Sequence, residues 1–73
     1  MAAIVLRVRL VSGDQLDVRH DDPEADDDEA IQRVVETLAE DDGVLRTRHG
    51  DRLVVLYGRG VAAIEVAPRG AVL

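Results

Sequence analysis

Ile4, Leu6, Val8 and Leu10 stand at every second position near the start of the chain, and Val5, Arg7, Arg9 and Val11 fill the places between them. A period of two belongs to a strand with one buried face, so these residues predict a first strand. "VSGD" at 11–14 supplies turn residues, after which "QLDVRH" alternates again, with Leu16 and Val18 facing inward and Asp17 and Arg19 outward. Two alternating runs joined by a short polar turn predict a hairpin. Over 29–40 the period lengthens. Ile31, Val34, Val35 and Leu38 fall at i, i+3, i+4 and i+7, one apolar stripe on a helix of about three turns. Gly43 is placed to end that helix, because glycine readily takes the left-handed conformation common just past a last turn.

The period of two returns in "VLRTRH", where Leu45 and Thr47 oppose Val44, Arg46 and Arg48, and "HGDR" follows as a hairpin turn in which Gly50 can supply a positive φ. "LVVLY" at 53–57 is apolar without alternation, the pattern of a strand covered on both faces or central in its sheet. "GRG" then breaks the chain, "VAAIEV" at 61–66 predicts a fifth strand, and a short tail over 68–73 begins at Pro68. The order ββαβββ predicts one small α+β domain over 1–73, with a single helix packed on one face of a mixed or antiparallel sheet.

Composition narrows the chemistry. The chain has no Cys, so it has no disulfide, no thiolate metal site and no cysteine nucleophile. All nine basic residues are Arg, which removes lysine Schiff-base and lysine general-base chemistry. Tyr57 is the only aromatic residue, so base stacking has little to work with and the core must be built from Val, Leu, Ile and Ala. Arg7 and Arg9 break the apolar residues of "MAAIVLRVRL", which therefore predicts neither a signal peptide nor a membrane span; a cytoplasmic location is the expectation.

Charge is unevenly spread. "DDPEADDDE" at 21–29 holds seven of the fifteen carboxylates and none of the arginines. The expected geometry is an acidic loop leading into the helix, with Pro23 closing the second strand and Asp26, Asp27, Asp28 and Glu29 at the positive end of the helix dipole. Asp26 and Glu29 have the spacing of a capping box. A calcium loop starting at Asp22 fails, since Asp27 stands where the turn glycine belongs and Arg33 where the bidentate Glu is required. No metal or other cofactor is expected.

Two further patterns test an enzymatic reading and do not support one. "GRGVAA" fits a loose dinucleotide-binding spacing, but that chemistry requires a helix to start within the motif, and Val61, Ile64 and Val66 favour a strand. His20 lies beside Asp21 and Asp22, and His49 near Asp51, both at predicted strand ends. Ser12, the only Ser, sits in a turn with no nucleophile elbow around it, so no triad forms. No catalytic residue is assigned, and an enzyme is not expected.

The arginines carry more. With the helix over Leu6, Val8, Leu16 and Val18, the side chains of Arg7, Arg9 and Arg19 point to the opposite face, and Arg46 and Arg48 join them if Leu45 and Thr47 point inward. The candidate partner-binding residues are therefore Arg7, Arg9, Arg19, Arg46 and Arg48 on an uncovered sheet face, and Asp26, Asp27 and Asp28 in the acidic run. The strand, Gly-containing turn, second strand, acidic opening and "IQRVVETL" stripe over residues 4–42 resemble the β-grasp layout of ubiquitin-like proteins. "PRGAVL" has Gly70 alone where a conjugated modifier carries Gly-Gly, so the resemblance does not extend to carboxyl-terminal transfer. In length and layout the chain is also similar to small uncharacterised proteins of GC-rich bacteria. The expected function is a protein–protein interaction or assembly module, a homodimer or a subunit of a larger assembly. The alternatives are an acidic nucleic-acid mimic that inhibits a DNA- or RNA-binding protein, and nucleic-acid binding through the Arg face, which the net charge of −6 disfavours.

Overall fold

Alternation builds the first hairpin. In the computed structural model, which describes residues 2–67, β1 (Ala2–Leu10) and β2 (Gln15–Asp22) pair antiparallel, with Leu6 opposite Val18 and Val8 opposite Leu16. Gly13 takes φ 96° in the turn between them, a conformation that favours glycine. The helix α1 (Asp27–Ala39) follows. Its buried residues are Ala30 and Val34, with Ile31 and Leu38 half-buried beside them; Val35, expected on the stripe, is 49% exposed. The buried face is therefore turned away from Val35 and toward Ala30, by less than the angle between successive residues.

The helix does not end in the manner predicted. Glu40 caps it in extended conformation, its N–H donating to Thr37 O, and Gly43 is not among the positive-φ glycines. Gly43 is required for space: a Cβ there would collide with the carbonyl oxygen of Thr37. Its N–H donates to Glu40 O at 3.0 Å as the chain turns into β3 (Val44–His49). Gly50, at φ 61°, then closes the hairpin to β4 (Arg52–Tyr57) as its sequence context predicts. A turn of 3-10 helix at Gly58–Gly60 leads into β5 (Val61–Val66), so a strand and not a helix follows "GRG". The tail predicted over 68–73 lies outside the described residues.

The five strands form one antiparallel sheet in the order β4-β3-β2-β1-β5. β1 is flanked by β2 and β5, and its inner row of Ile4, Leu6 and Val8 meets Val18, Val34, Leu45 and Leu56 in the core. The placement of "LVVLY" overturns its sequence reading. β4 is an edge strand with one face open, Leu53 being 58% and Tyr57 51% exposed.

The β4–β5 link sets the shape of the sheet. Tyr57 and Val61 are four Cα steps apart, a span of at most about 14 Å. The edges of a flat five-stranded sheet would lie about 19 Å apart. The sheet therefore coils until its edges approach at that end, where Val11 N–H donates to Gly60 O at 3.0 Å. A cleft of about 330 Å³ opens nearby, lined by Leu10, Val11, Ser12 and Leu16 on one side and by residues 54–57 of β4 with Gly60 on the other.

Candidate interaction surface

Because α1 covers the even-numbered residues of β1 and β2, the odd-numbered ones face outward, and the pairing carries that face across the sheet. Val5 stands opposite Arg19, Arg7 between Asp17 and Glu65, Arg9 between Gln15 and Ala63, and Arg19 opposite Arg48. On the far side Arg46 pairs with Val55, Arg48 with Leu53 and Val44 with Tyr57. All five candidate arginines are thus brought onto one uncovered face. They do not make it uniformly basic, since Asp17, Asp21 and Glu65 share it.

Those carboxylates divide the arginines into two groups. Arg7 Nε donates to Asp17 Oδ1 at 3.1 Å, and Arg19 Nη2 to Asp21 Oδ2 at 3.3 Å. That hydrogen bond from Arg7, then the charges of Asp17 and Glu65, hold the guanidinium above its ordinary pKa. Arg9, Arg46 and Arg48 form no ion pair among the described residues. Arg46 and Arg48 flank a column that the sequence reading had not singled out: Leu53, Val55 and Tyr57 of β4, with Val44 43% exposed beside it. Arg59 lies over the Tyr57 ring at 5.5 Å from its centroid, close enough for a cation–π contact. The available signal was the missing alternation of "LVVLY" followed by only "GRG", too short a link for a central strand to be left behind easily.

The acidic run is divided rather than gathered into one loop. Asp21 and Asp22 finish β2, residues 23–26 form the connection, and Asp27, Asp28 and Glu29 make the first turn of α1. Asp26 Oδ1 accepts from Glu29 N–H at 2.9 Å, the cap expected from its position. Asp22 is nearly buried and accepts from Arg33 Nη1 at 3.1 Å and from Glu24 N–H at 3.2 Å, tying the end of β2 to the helix. Glu24, Asp28 and Glu29 remain exposed at the helix start, on the layer opposite the arginines. No group of three or more His, Asp or Glu among the described residues is arranged to hold a metal ion.

His49 is an exposed side chain at the end of β3, as its position predicts, whereas His20 lies inside β2. His20 is half-buried within β2 and its Nδ1–H donates to Arg46 O at 3.1 Å, while the Nδ1–H of His49 donates to Asp17 O at 2.6 Å. Each imidazole crosses the seam between β2 and β3, where the register is fixed by a single pair, Arg19 with Arg48. Like charges directly opposite weaken strand pairing, and the two side-chain bonds on either side of that pair support it. Neither His is hydrogen-bonded to the carboxylates that neighbour it in sequence, those of Asp21 and Asp22 for His20 and of Asp51 for His49.

No family model, curated protein or solved structure matches this chain. No described helix is long and apolar enough to cross a membrane.

Proposed function

We propose that this domain is a protein-interaction or assembly module of the cytoplasm, with no catalytic chemistry of its own, which docks a partner protein through the open face of its sheet. The observation that carries this reading is the adjacency on one uncovered face of an apolar column, exposed Leu53 and Tyr57 around half-buried Val55, and two arginines that form no ion pair among the described residues, Arg46 and Arg48. Arg and Tyr beside aliphatic side chains are typical of residues that dominate binding energy, because each buries a large area and offers a directed hydrogen bond or charge. A partner surface that combines apolar and acidic side chains fits this face.

The exposed Glu24, Asp28 and Glu29, on the other layer, give the molecule a charge axis that would orient approach and raise the rate of encounter. Division of the acidic run favours docking over phosphate mimicry, since Asp21 is paired with Arg19, Asp22 with Arg33, and Asp26 caps α1. The β-grasp likeness of residues 4–42 is compatible with this role, and the reading does not depend on it.

The test is capture from nuclease-treated lysate of the native host at moderate salt, with the wild-type chain and with Arg46→Glu/Arg48→Glu. Near-stoichiometric retention of an acidic or neutral protein by the wild type, lost in the double variant, is the expected result. A partner retained equally by both proteins overturns the assignment of this face. A shifted nucleic-acid band that fades steeply with salt replaces the reading with direct nucleic-acid binding.

A further inference from the structure

The pattern of "LVVLY" asks for more cover than one chain gives it. Among the described residues β4 has one strand neighbour, β3, and of its outer side chains Leu53 and Tyr57 are exposed and Val55 is half-buried. The bond from Gly58 N–H to Gly43 O, at 2.9 Å, fixes which backbone groups are free. In antiparallel alternation the pairs Leu45 with Leu56 and Thr47 with Val54 then exchange hydrogen bonds, and the N–H and C=O groups of Leu53, Val55 and Tyr57 point away from β3. The same three residues carry the apolar column. We propose that this edge pairs with β4 of a second copy of the chain, antiparallel about a two-fold axis at Val55.

Self-pairing satisfies the edge in one register better than in its neighbours. A two-fold axis perpendicular to the sheet keeps both helices on the same side only if odd residues pair with odd and even with even. With the axis at Val55, Val55 faces its own copy, Leu53 faces Tyr57 and Val54 faces Leu56. Every free N–H and C=O of the three outward residues then finds a partner. Moving the axis to Val54 leaves those of Tyr57 without one from Leu53, Val55 or Tyr57 of the other copy.

Charge selects a second copy on this edge over other self-contacts. β4 carries one charge, Arg52 at its first position, which falls opposite Gly58 of the other copy. Arg46 and Arg48 of the two copies stay about three strand spacings apart, roughly 14 Å, beyond the screening length of about 8 Å at physiological salt. Stacking the open faces would instead lay arginine over arginine. The opposite edge is a poorer template: the β1–β5 register shifts at Arg9/Leu10, and Glu65 puts a charge in the strand. Pairing β4 with β5 of another copy would be head-to-tail and would leave an edge free at each end.

This inference rests on the interaction-module reading and gives it one defined partner, and the two can fail separately. Sedimentation equilibrium of the wild type, Val55→Lys and Val55→Pro is the first experiment. Proline at 55 removes only an outward N–H, so the β3–β4 hydrogen bonds survive it. The wild-type mass should rise with concentration to about twice 7.9 kDa and stop there, while both variants remain monomeric with the circular dichroism spectrum of dilute wild type. Because the chain lacks Cys, Val55→Cys should also cross-link to itself on mild oxidation much faster than Ala3→Cys, which lies on the same face but away from the axis. A wild type that stays monomeric at its highest soluble concentration overturns the proposal. So does a dimer that survives both edge variants, or one in which Val55→Cys cross-links no faster than Ala3→Cys. Loss of self-pairing with lysate capture still sensitive to Arg46 and Arg48 removes the dimer alone. Intact self-pairing with capture indifferent to those arginines removes the docking face alone.

Discussion

Leu53 and Leu56 lie three residues apart on β4, so they face opposite layers and the same substitution should have unequal effects. Leu56 is 4% exposed and packs in the core, whereas Leu53 is 58% exposed on the open face. Replacing a buried Leu with a smaller residue loses its transfer energy and leaves a cavity, so Leu56→Thr should cost about 3 kcal/mol. At Leu53 less than half of the side chain's burial is at stake. The loss should be under about 1 kcal/mol, partly offset by the strand preference of Thr. A chain of this length has a total stability of about 4–11 kcal/mol. In a small domain each kcal/mol moves the melting temperature by about 4–8 °C. Thermal melts followed by circular dichroism, at concentrations low enough to hold the chain monomeric, should place Leu56→Thr about 12–24 °C below wild type and Leu53→Thr within about 8 °C of it. If Leu53→Thr melts as low as Leu56→Thr, β4 is covered on both faces in the monomer, and the open-face argument fails with it.

Two local substitutions test how the helix is held at its ends. Asp26→Ala removes the acceptor for Glu29 N–H and should destabilise the domain by about 1 kcal/mol in urea unfolding; an unchanged midpoint would show that the cap has another source. Gly43→Ala sets a methyl group against the Thr37 carbonyl and should cost about 1–3 kcal/mol, although φ at this position is not left-handed. A stabilising effect, as expected if only backbone freedom mattered, would refute the close-approach explanation.

Regular elements with a clear period were legible in the sequence. β1, β2 and β3 each set apolar against polar residues, and Asp26 marks the helix start by side-chain chemistry that acts within three residues. The arginine face was legible for the same reason, since alternation fixes side even when strand order is unknown. "LVVLY" was misread because an uninterrupted apolar run reports that both faces favour burial without saying which molecule supplies the cover. The division of arginines into paired and unpaired was also hidden: Arg7 meets Asp17 through the β1–β2 register, and Arg46 meets Val55 through β3–β4. The histidine bridges depend on β2 and β3 becoming neighbours across the intervening helix, a contact no local pattern encodes. Gly43 was chosen correctly as a punctuation point, but its role comes from tertiary proximity to Thr37 and not from its own dihedral freedom.

The three-residue connection at Gly58–Gly60 also orders the events of folding. β1 is the first strand described, yet one of its two neighbours is β5, the last. Joining Leu10 to Val61 closes a loop of roughly fifty residues, at an entropic cost of about 3.5 kcal/mol that local hairpins do not incur. A chain leaving the ribosome can form the β1–β2 hairpin, α1 and the β3–β4 hairpin while one flank of β1 stays open. Completion of this sheet then waits for Val61–Val66 to fall into place beside Leu6 and Val8, so β5 secures a strand made well before it.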